Sequence, residues 1–209
     1  MLKQIYLITI FLSALIGLYH FKRSPFHLKG FALLLVLTAI VEIVGHFLKN
    51  NLWMFNLFGV IEFSSIFLLY RRLFFSHKIK NLLLLFAGVT ALIYLSNWLF
   101  FQGLNTFNNY TFAFSCMLVT VTVLLFYHQL LNDNNPEPLL RVPMFWISTG
   151  ILVFYPCNIF FMGLLNYIMH VSMDLAKQLY TIIHILNIIM YSLYSIGFIC
   201  SATSRKSLS

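Results

Sequence analysis

Charged side chains are scarce in this chain. Of its 209 residues only 9% are Asp, Glu, Lys or Arg, and 61% are hydrophobic. Soluble domains carry roughly 25% charged residues, so the composition excludes an ordinary soluble globular domain. The mean hydropathy of +0.89 agrees with this conclusion. We therefore expect the chain to lie in a lipid bilayer.

Cysteine is also rare, and its placement excludes two common roles. Cys116, Cys157 and Cys200 lie in apolar segments and show no CxxC spacing. An odd number of dispersed cysteines supports neither a disulfide framework nor a zinc site. We interpret them as small buried hydrophobic residues.

The motifs of catalysis and cofactor binding are lacking as well. The sequence has no HExxH or HxxxH pair, no GxSxG motif and no phosphate-binding glycine loop. Lys177 stands at the start of the last apolar run and not at its centre, so a retinal Schiff base is not expected. Only His46 and His184 could face each other as haem ligands, which is a weak signal. No cofactor is predicted.

Long apolar runs dominate what is present. A spanning helix needs about 20 apolar residues, and seven runs reach that length with short connections between them. The sequence therefore predicts an all-α, polytopic membrane protein with one seven-helix transmembrane domain over residues 1–209. No small-x-small cleavage site follows the first run, so we expect a mature helix and not a signal peptide. The predicted helices are Leu2–Phe21, Gly30–Leu48, Leu52–Leu73, Ile79–Phe100, Phe107–Leu131, Pro143–Tyr167 and Leu179–Cys200.

The basic residues are distributed unevenly between the connections. The first, third and fifth connections and the tail carry nearly all of them, whereas the second and sixth carry Lys49 and Lys177 and the fourth carries none. Because Lys and Arg favour the cytoplasmic side, we expect a multi-pass protein of the cell's inner (plasma) membrane with its amino terminus outside and its carboxyl terminus in the cytoplasm. The net charge of +8 is then a topology signal, and no nucleic-acid partner is expected. The residues concerned are Lys22, Arg23, Lys29, Arg71, Arg72, Lys78, Lys80, Arg141, Arg205 and Lys206.

Two acidic residues, Glu42 and Glu62, lie well inside the apolar runs. A charge at the centre of a spanning helix costs about 2.5–3.5 kcal/mol on insertion scales. Other polar residues recur at steps of three and four in the same and later runs, so the stripes are expected to face one another. We predict an outward-facing polar pocket, with Pro156 as a hinge in the sixth helix. The predicted ligand-binding residues are Glu42, His46, Asn56, Glu62, Asn158, Tyr180, His184, Asn187 and Tyr191.

Alternatives remain open for these acidic residues. Glu42 and His46 are four residues apart on one helix face, and His184 could approach from the seventh helix. The group could be an interhelical hydrogen bond, a proton- or ligand-sensing pair, or a metal site formed by Glu42, His46 and His184. A third firm metal ligand is missing, so no metal is predicted. Glu62 is either a neutral acid that joins two helices or a functional group.

Three segments carry a resemblance to a known class of protein. They are FWISTGILVFYPCNIFFMGLLNYI, LYTIIHILNIIMYSLYSIGFIC and NLFGVIEFSSIFLLY. Together they resemble the seven-helix membrane sensor regions of Bacteroidetes-type histidine kinases and small stand-alone relatives of those regions. The resemblance implies signal transduction. Since the chain carries no phosphoacceptor helix and no ATP-binding domain, the signal would pass to a separate histidine kinase or other signalling protein.

We therefore expect a non-enzymatic membrane sensor or accessory module that responds to a small ligand or a proton. Two other functions are considered. One is an intramembrane metal-dependent hydrolase acting on lipid, and the other is a small-solute transporter.

Overall fold

The computed structural model describes residues 2–132 and 138–204, with the side chains at positions 166, 203 and 204 excepted. Over these residues the chain is helical and contains no strand. Seven helices are long and apolar enough to cross a membrane, which confirms the predicted number. They are α1 (Leu2–Tyr19), α2 (Phe26–Phe47), α3 (Leu52–Arg71), α4 (His77–Phe100), α5 (Asn109–Leu131), α6 (Pro143–Val171) and α7 (Met173–Ser204).

The helix boundaries follow local signals in the sequence. Pro143 occupies the first turn of α6, where its missing N–H group would have no intrahelical partner anyway. Pro25 precedes α2 with an extended backbone. Gly103, between α4 and α5, has a φ of +69°, a left-handed conformation that glycine adopts without a steric penalty.

The connection between α6 and α7 is far shorter than predicted. The sequence predicted a connection over residues 168–178, but Ser172 alone separates the two helices. Its backbone is extended, with φ −162° and ψ 119°, which ends α6. Lys177 accordingly lies within α7, where its Nζ is 3.1 Å from Asp174 Oδ1. Polar residues in this part of the chain prolong the helices beyond the apolar runs, because a helix can continue where it leaves the hydrocarbon.

Six of the helices pack in a closed ring. Around it, α1 contacts α2, α2 contacts α3, α3 contacts α5, α5 contacts α6, α6 contacts α7, and α7 returns to α1. The remaining helix, α4, packs on the outside against α3 and α5. The ring therefore encloses an interior between the six helices.

The two ends of the bundle differ in charge. We call the end with the start of α1 and the α2–α3, α4–α5 and α6–α7 connections the N-terminal end, and the opposite end the basic end. At the N-terminal end Asn56 Nδ2 donates to the carbonyls of Leu104 (2.8 Å) and Thr106 (2.7 Å), tying α3 to the α4–α5 connection. At the basic end Gln129 Nε2 donates to the Leu73 carbonyl at 3.0 Å. The basic residues of the first, third and fifth connections lie at this basic end. Arg205 and Lys206 of the tail lie outside the described residues.

Candidate functional site

A polar cavity lies inside the ring, toward the N-terminal end. Its volume is about 440 Å³, and each of the seven helices contributes to its wall. Lys3 at the start of α1 and Tyr180 near the start of α7 line it together with Asn51 and Asn108 from the connections. Every residue predicted for the pocket except His46 lines this cavity: Glu42, Asn56, Glu62, Asn158, Tyr180, His184, Asn187 and Tyr191.

Glu42 of α2 is held by a tyrosine from α1. The hydroxyl of Tyr6 donates to Glu42 Oε1 at 2.7 Å. The Tyr6 ring also lies against α7, with centroid distances of 5.3 Å to the His184 ring and 6.1 Å to the Tyr191 ring. Tyr6 therefore connects α1, α2 and α7 at one point in the cavity wall.

Glu62 of α3 is held in the same way from the opposite side of the ring. The hydroxyl of Tyr155 in α6 donates to Glu62 Oε1 at 2.9 Å. Glu62 also borders a second, small void of about 10 Å³ that is lined by Phe31 and Tyr194 and that Glu42 does not reach. Both carboxylates thus line the cavity, and each accepts a hydrogen bond from a tyrosine of another helix, α1 for Glu42 and α6 for Glu62.

Several polar atoms in the cavity wall have no hydrogen-bond partner among the described residues. Asn158 is fully buried, and its Nδ2 donates to the Phe154 carbonyl at 2.9 Å. Its Oδ1 has no partner, and neither does His184 Nδ1 or either polar side-chain atom of Asn108. Leaving a buried polar group unpaired costs about 1–3 kcal/mol. These atoms are available to a polar molecule in the cavity.

Asn56 and Asn187 use their amide donors elsewhere. Asn56 Oδ1 accepts from the backbone N–H of Asn108 at 3.4 Å, in addition to the two bonds that its Nδ2 makes with the α4–α5 connection. Asn187 Nδ2 donates to the Ile183 carbonyl at 3.2 Å. Asn56 therefore secures a connection over the cavity and has few bonds left for a ligand.

His46 is the exception among the predicted residues. Its side chain is exposed and does not line the cavity, and its ring contacts that of the neighbouring Phe47. Four residues advance a helix by about 400°, or 40° past a full turn, and α2 ends at Phe47. His46 thus lies at the end of α2, at the rim of the bundle, with its side chain outside the cavity.

The three residues considered for a metal site do not all lie in the cavity. Over the described chain no group of three or more His, Cys, Asp or Glu side chains is placed to hold a metal ion. Glu42 and His184 share the cavity, but His46 does not join them. The structure therefore does not assemble the set Glu42, His46 and His184.

Tyr94 reaches the cavity from outside the ring because α3 carries Gly59. A Cβ atom at Gly59 would lie 2.8 Å from the Tyr94 hydroxyl. The Tyr94 side chain is nevertheless fully buried and lines the polar cavity. Tyr6, Tyr94 and Tyr155 were not among the predicted site residues, although Tyr6 begins a series of polar and small residues at helical spacing in α1.

The cavity ends on an aromatic floor just below Glu62. Phe31, Phe63, Tyr70, Tyr155 and Tyr194 are buried there. Their rings pack edge to face, with centroid distances of 5.9 Å for Phe31 and Tyr70 and 6.2 Å for Phe31 and Tyr194. Farther toward the basic end Tyr70 and Ser148 share a hydrogen bond of 2.7 Å. The cavity therefore extends toward the N-terminal end of the bundle and ends at this aromatic floor.

Pro156 lies inside α6, two residues before Asn158. Proline has no N–H group, so the carbonyl of Leu152 lacks its usual partner four residues later. The helix nonetheless runs unbroken from Pro143 to Val171. The wall that carries Tyr155 and Asn158 therefore lacks one helical hydrogen bond.

Comparison of the chain with protein-family models, with curated protein sequences and with solved structures finds no match. The resemblance to kinase sensor regions therefore stays a prediction.

Proposed function

We propose that this chain is a non-enzymatic membrane sensor or accessory module whose polar cavity binds a small ligand and signals to a separate protein. One observation carries the proposal. Side chains from helices far apart in sequence bring two carboxylates and several unpartnered polar atoms to one closed-ended cavity. A site this polar inside an apolar bundle is costly to maintain, so a binding role explains it better than packing does.

The cavity wall favours a small organic cation as the ligand. Glu42 and Glu62 supply negative charge, and the rings of Tyr6, Tyr94 and Tyr191 supply aromatic faces that attract cations. Asn158 Oδ1 adds a free acceptor for an N–H donor. The volume of about 440 Å³ lies within the roughly 300–1,000 Å³ range of small-molecule pockets. Proton binding by the same carboxylates is a simpler input that the test has to distinguish.

The direction of signalling follows from the positive-inside rule. The basic end would face the cytoplasm and the cavity would open to the outside of a bacterial inner membrane. The partner would be a histidine kinase or other signalling protein that contacts the basic end, as the resemblance of the sequence suggests.

Movement of α6 and α7 is the proposed means of transmission. A ligand between the two carboxylates would alter the Tyr155–Glu62 bond and the contact of Tyr6 with His184, which join α6 and α7 to the rest of the ring. The missing hydrogen bond at Pro156 would let α6 bend as this happens. Transport is less well supported, because a solute would have to pass the aromatic floor.

Ligand binding can be tested on the full chain in lipid nanodiscs. The probes are tetramethylammonium and tert-butanol, a neutral molecule of similar shape, with calorimetry and thermal melting as measurements. We expect tetramethylammonium to bind and tert-butanol not to bind. Glu62→Gln and Glu42→Gln should each weaken binding at least tenfold, whereas Asp174→Asn, which changes an exposed acid outside the cavity, should leave it unchanged.

Two results would contradict the cation assignment. One is equal binding of the neutral probe, and the other is unchanged affinity in both glutamate variants. If acidification alone raises the melting temperature and this rise is lost in Glu62→Gln, the ligand is a proton.

Transmission is measured separately, with spin labels on Arg23→Cys and Arg141→Cys at the basic end in a background without native cysteines. Tetramethylammonium should change the distance between the labels. Pro156→Ala should preserve binding of the cation but reduce the change in distance. An identical distance with and without bound cation would exclude the sensor mechanism.

A further inference from the structure

A second cavity, the α2–α3 groove, lies between α2 and α3 toward the basic end. Its volume is about 460 Å³, and it shares no lining residue with the polar cavity. Leu33 and Leu37 form one wall and Ile61 and Leu68 the other, while Arg71 and Arg72 close the end nearest the α3–α4 connection. The groove therefore combines an apolar slot with a pair of cations.

The apolar slot opens outward, to where lipid would lie. Leu33, Ile61 and Leu68 are 54%, 48% and 47% exposed. Ten residues separate Ile61 from Arg71, which corresponds to about 15 Å along the helix axis. The hydrocarbon core of a bilayer is about 30 Å thick, so the slot has the length of one acyl chain in one leaflet.

The cationic end fits a phosphate group. Arg71 Nε is buried and has no hydrogen-bond partner among the described residues. The guanidinium of the adjacent Arg72 is exposed and lies 5.0 Å from the centre of the Phe26 ring. Over the same residues the structure contains no ion pair to either arginine. Arginine presents planar forks of N–H donors that match phosphate oxygens.

The narrowness of the groove favours a lipid chain over a partner helix as its occupant. An α-helix with its side chains is about 10–12 Å wide, whereas α2 and α3 contact each other directly. The groove is narrow at Gly30 as well, where a Cβ atom would clash with the side chain of Leu69. A flexible hydrocarbon chain fits such a slot, and a rigid cylinder does not.

We propose that the α2–α3 groove binds one anionic phospholipid, with its phosphate on Arg71 and Arg72 and one acyl chain between Leu33 and Leu68. This assignment does not depend on the proposed function of the polar cavity. The lipid would contact α2 and α3, the two helices that carry Glu42 and Glu62.

Native mass spectrometry of the purified full chain tests the proposal. The probes are phosphatidylglycerol and phosphatidylcholine with identical acyl chains. We expect one phosphatidylglycerol to be retained at least tenfold more strongly than phosphatidylcholine. The preference should be lost in Arg71→Gln/Arg72→Gln, and it should be retained in Lys78→Gln/Lys80→Gln, which removes the same charge at the same end but outside the groove.

Two further measurements separate a built site from general attraction to a basic surface. Ser65→Leu, which fills the slot and leaves both arginines in place, should weaken phosphatidylglycerol retention severalfold. Inorganic phosphate at millimolar concentration should not displace the lipid, because it lacks the acyl chain. Equal retention of the two lipids, or equal loss in the lysine variant, would overturn the proposal. If the double arginine variant fails to fold, Arg72→Gln alone serves, since that side chain is exposed.

Discussion

Tyrosine hydroxyls offset part of the free-energy cost of burying the two carboxylates. Each carboxylate accepts one such bond, from Tyr6 to Glu42 and from Tyr155 to Glu62. Hydrogen bonds between membrane helices average about 0.6 kcal/mol and reach about 1.7 kcal/mol. One bond does not offset the whole cost of the acid, so other polar groups around each carboxylate must contribute to its stability as well.

Removing one of these hydroxyls should be measurable as a loss of stability. Tyr155→Phe leaves Glu62 without its donor, and we expect the free energy of unfolding to fall by about 1–2 kcal/mol. Denaturation in mixed detergent micelles measures the change. Tyr167→Phe, on the exposed side of the same helix, is the control and should have no effect. A double-mutant cycle with Glu62→Gln should show coupling between the pair, and additive effects would mean that the bond contributes nothing.

For single residues, the sequence indicates which acidic side chains lie in the interior, but it does not indicate which hydroxyls they accept hydrogen bonds from. Glu42, Glu62 and Asn158 stand out because polar groups in apolar runs must avoid lipid. Helical spacing also selected His46, but spacing does not reveal that this side chain, in the last turn of α2, is exposed outside the cavity. Asn108 lies in a connection, where no periodicity indicates which way a side chain points.

Among the helices, α6 and α7 are packed most closely. A Cβ atom at Gly150 would lie 3.0 Å from the Met190 carbonyl, and one at Gly197 would lie 2.9 Å from the Pro143 carbonyl. Both neighbours are backbone atoms of the facing helix and cannot turn away. Small residues thus allow the two backbones to approach closely, as is common in membrane helix pairs.

This close approach predicts opposite effects for two similar substitutions. Gly197→Ala should lower the free energy of unfolding by about 1–3 kcal/mol because the new methyl group has no room. Gly163→Ala, in α6 with open space around it, should have no effect or raise stability by up to about 1 kcal/mol through helix propensity. Thermal melting of the two purified variants measures both changes. Equal melting temperatures would contradict the contact at Gly197.

The number and approximate positions of the helices, in contrast to their packing, could be predicted, although α2 begins four residues and α7 six residues earlier than expected. Apolar length determines them, because a spanning segment must cross a hydrocarbon layer of given thickness. The single-residue link at Ser172 could not be predicted, since an extended backbone at one serine leaves no periodic trace. Nor does hydropathy reveal that α4 lies outside the ring, which depends on contacts between specific side chains.

For the molecule as a whole, the unequal charge of the two ends predicts one orientation. In a cysteine-free background, Asn50→Cys at the N-terminal end should react with a membrane-impermeant maleimide added to intact cells. Ser76→Cys, exposed between α3 and α4 at the basic end, should react only after the membrane is opened. The physical reason is the retention of basic connections in the cytoplasm. The reverse labelling pattern would invert the orientation and place the polar cavity on the cytoplasmic side.

The link at Ser172 has a mechanical consequence. With one residue between them at the N-terminal end and close backbone contacts at Gly150 and Gly197, α6 and α7 form a pair that would tilt as one unit about this link. Each helix is about 45 Å long, so a tilt of the pair by about 5° becomes a displacement of about 4 Å at the basic end. In the proposed sensor mechanism, this leverage would convert a small change at the Tyr155–Glu62 bond into a larger displacement at the basic end.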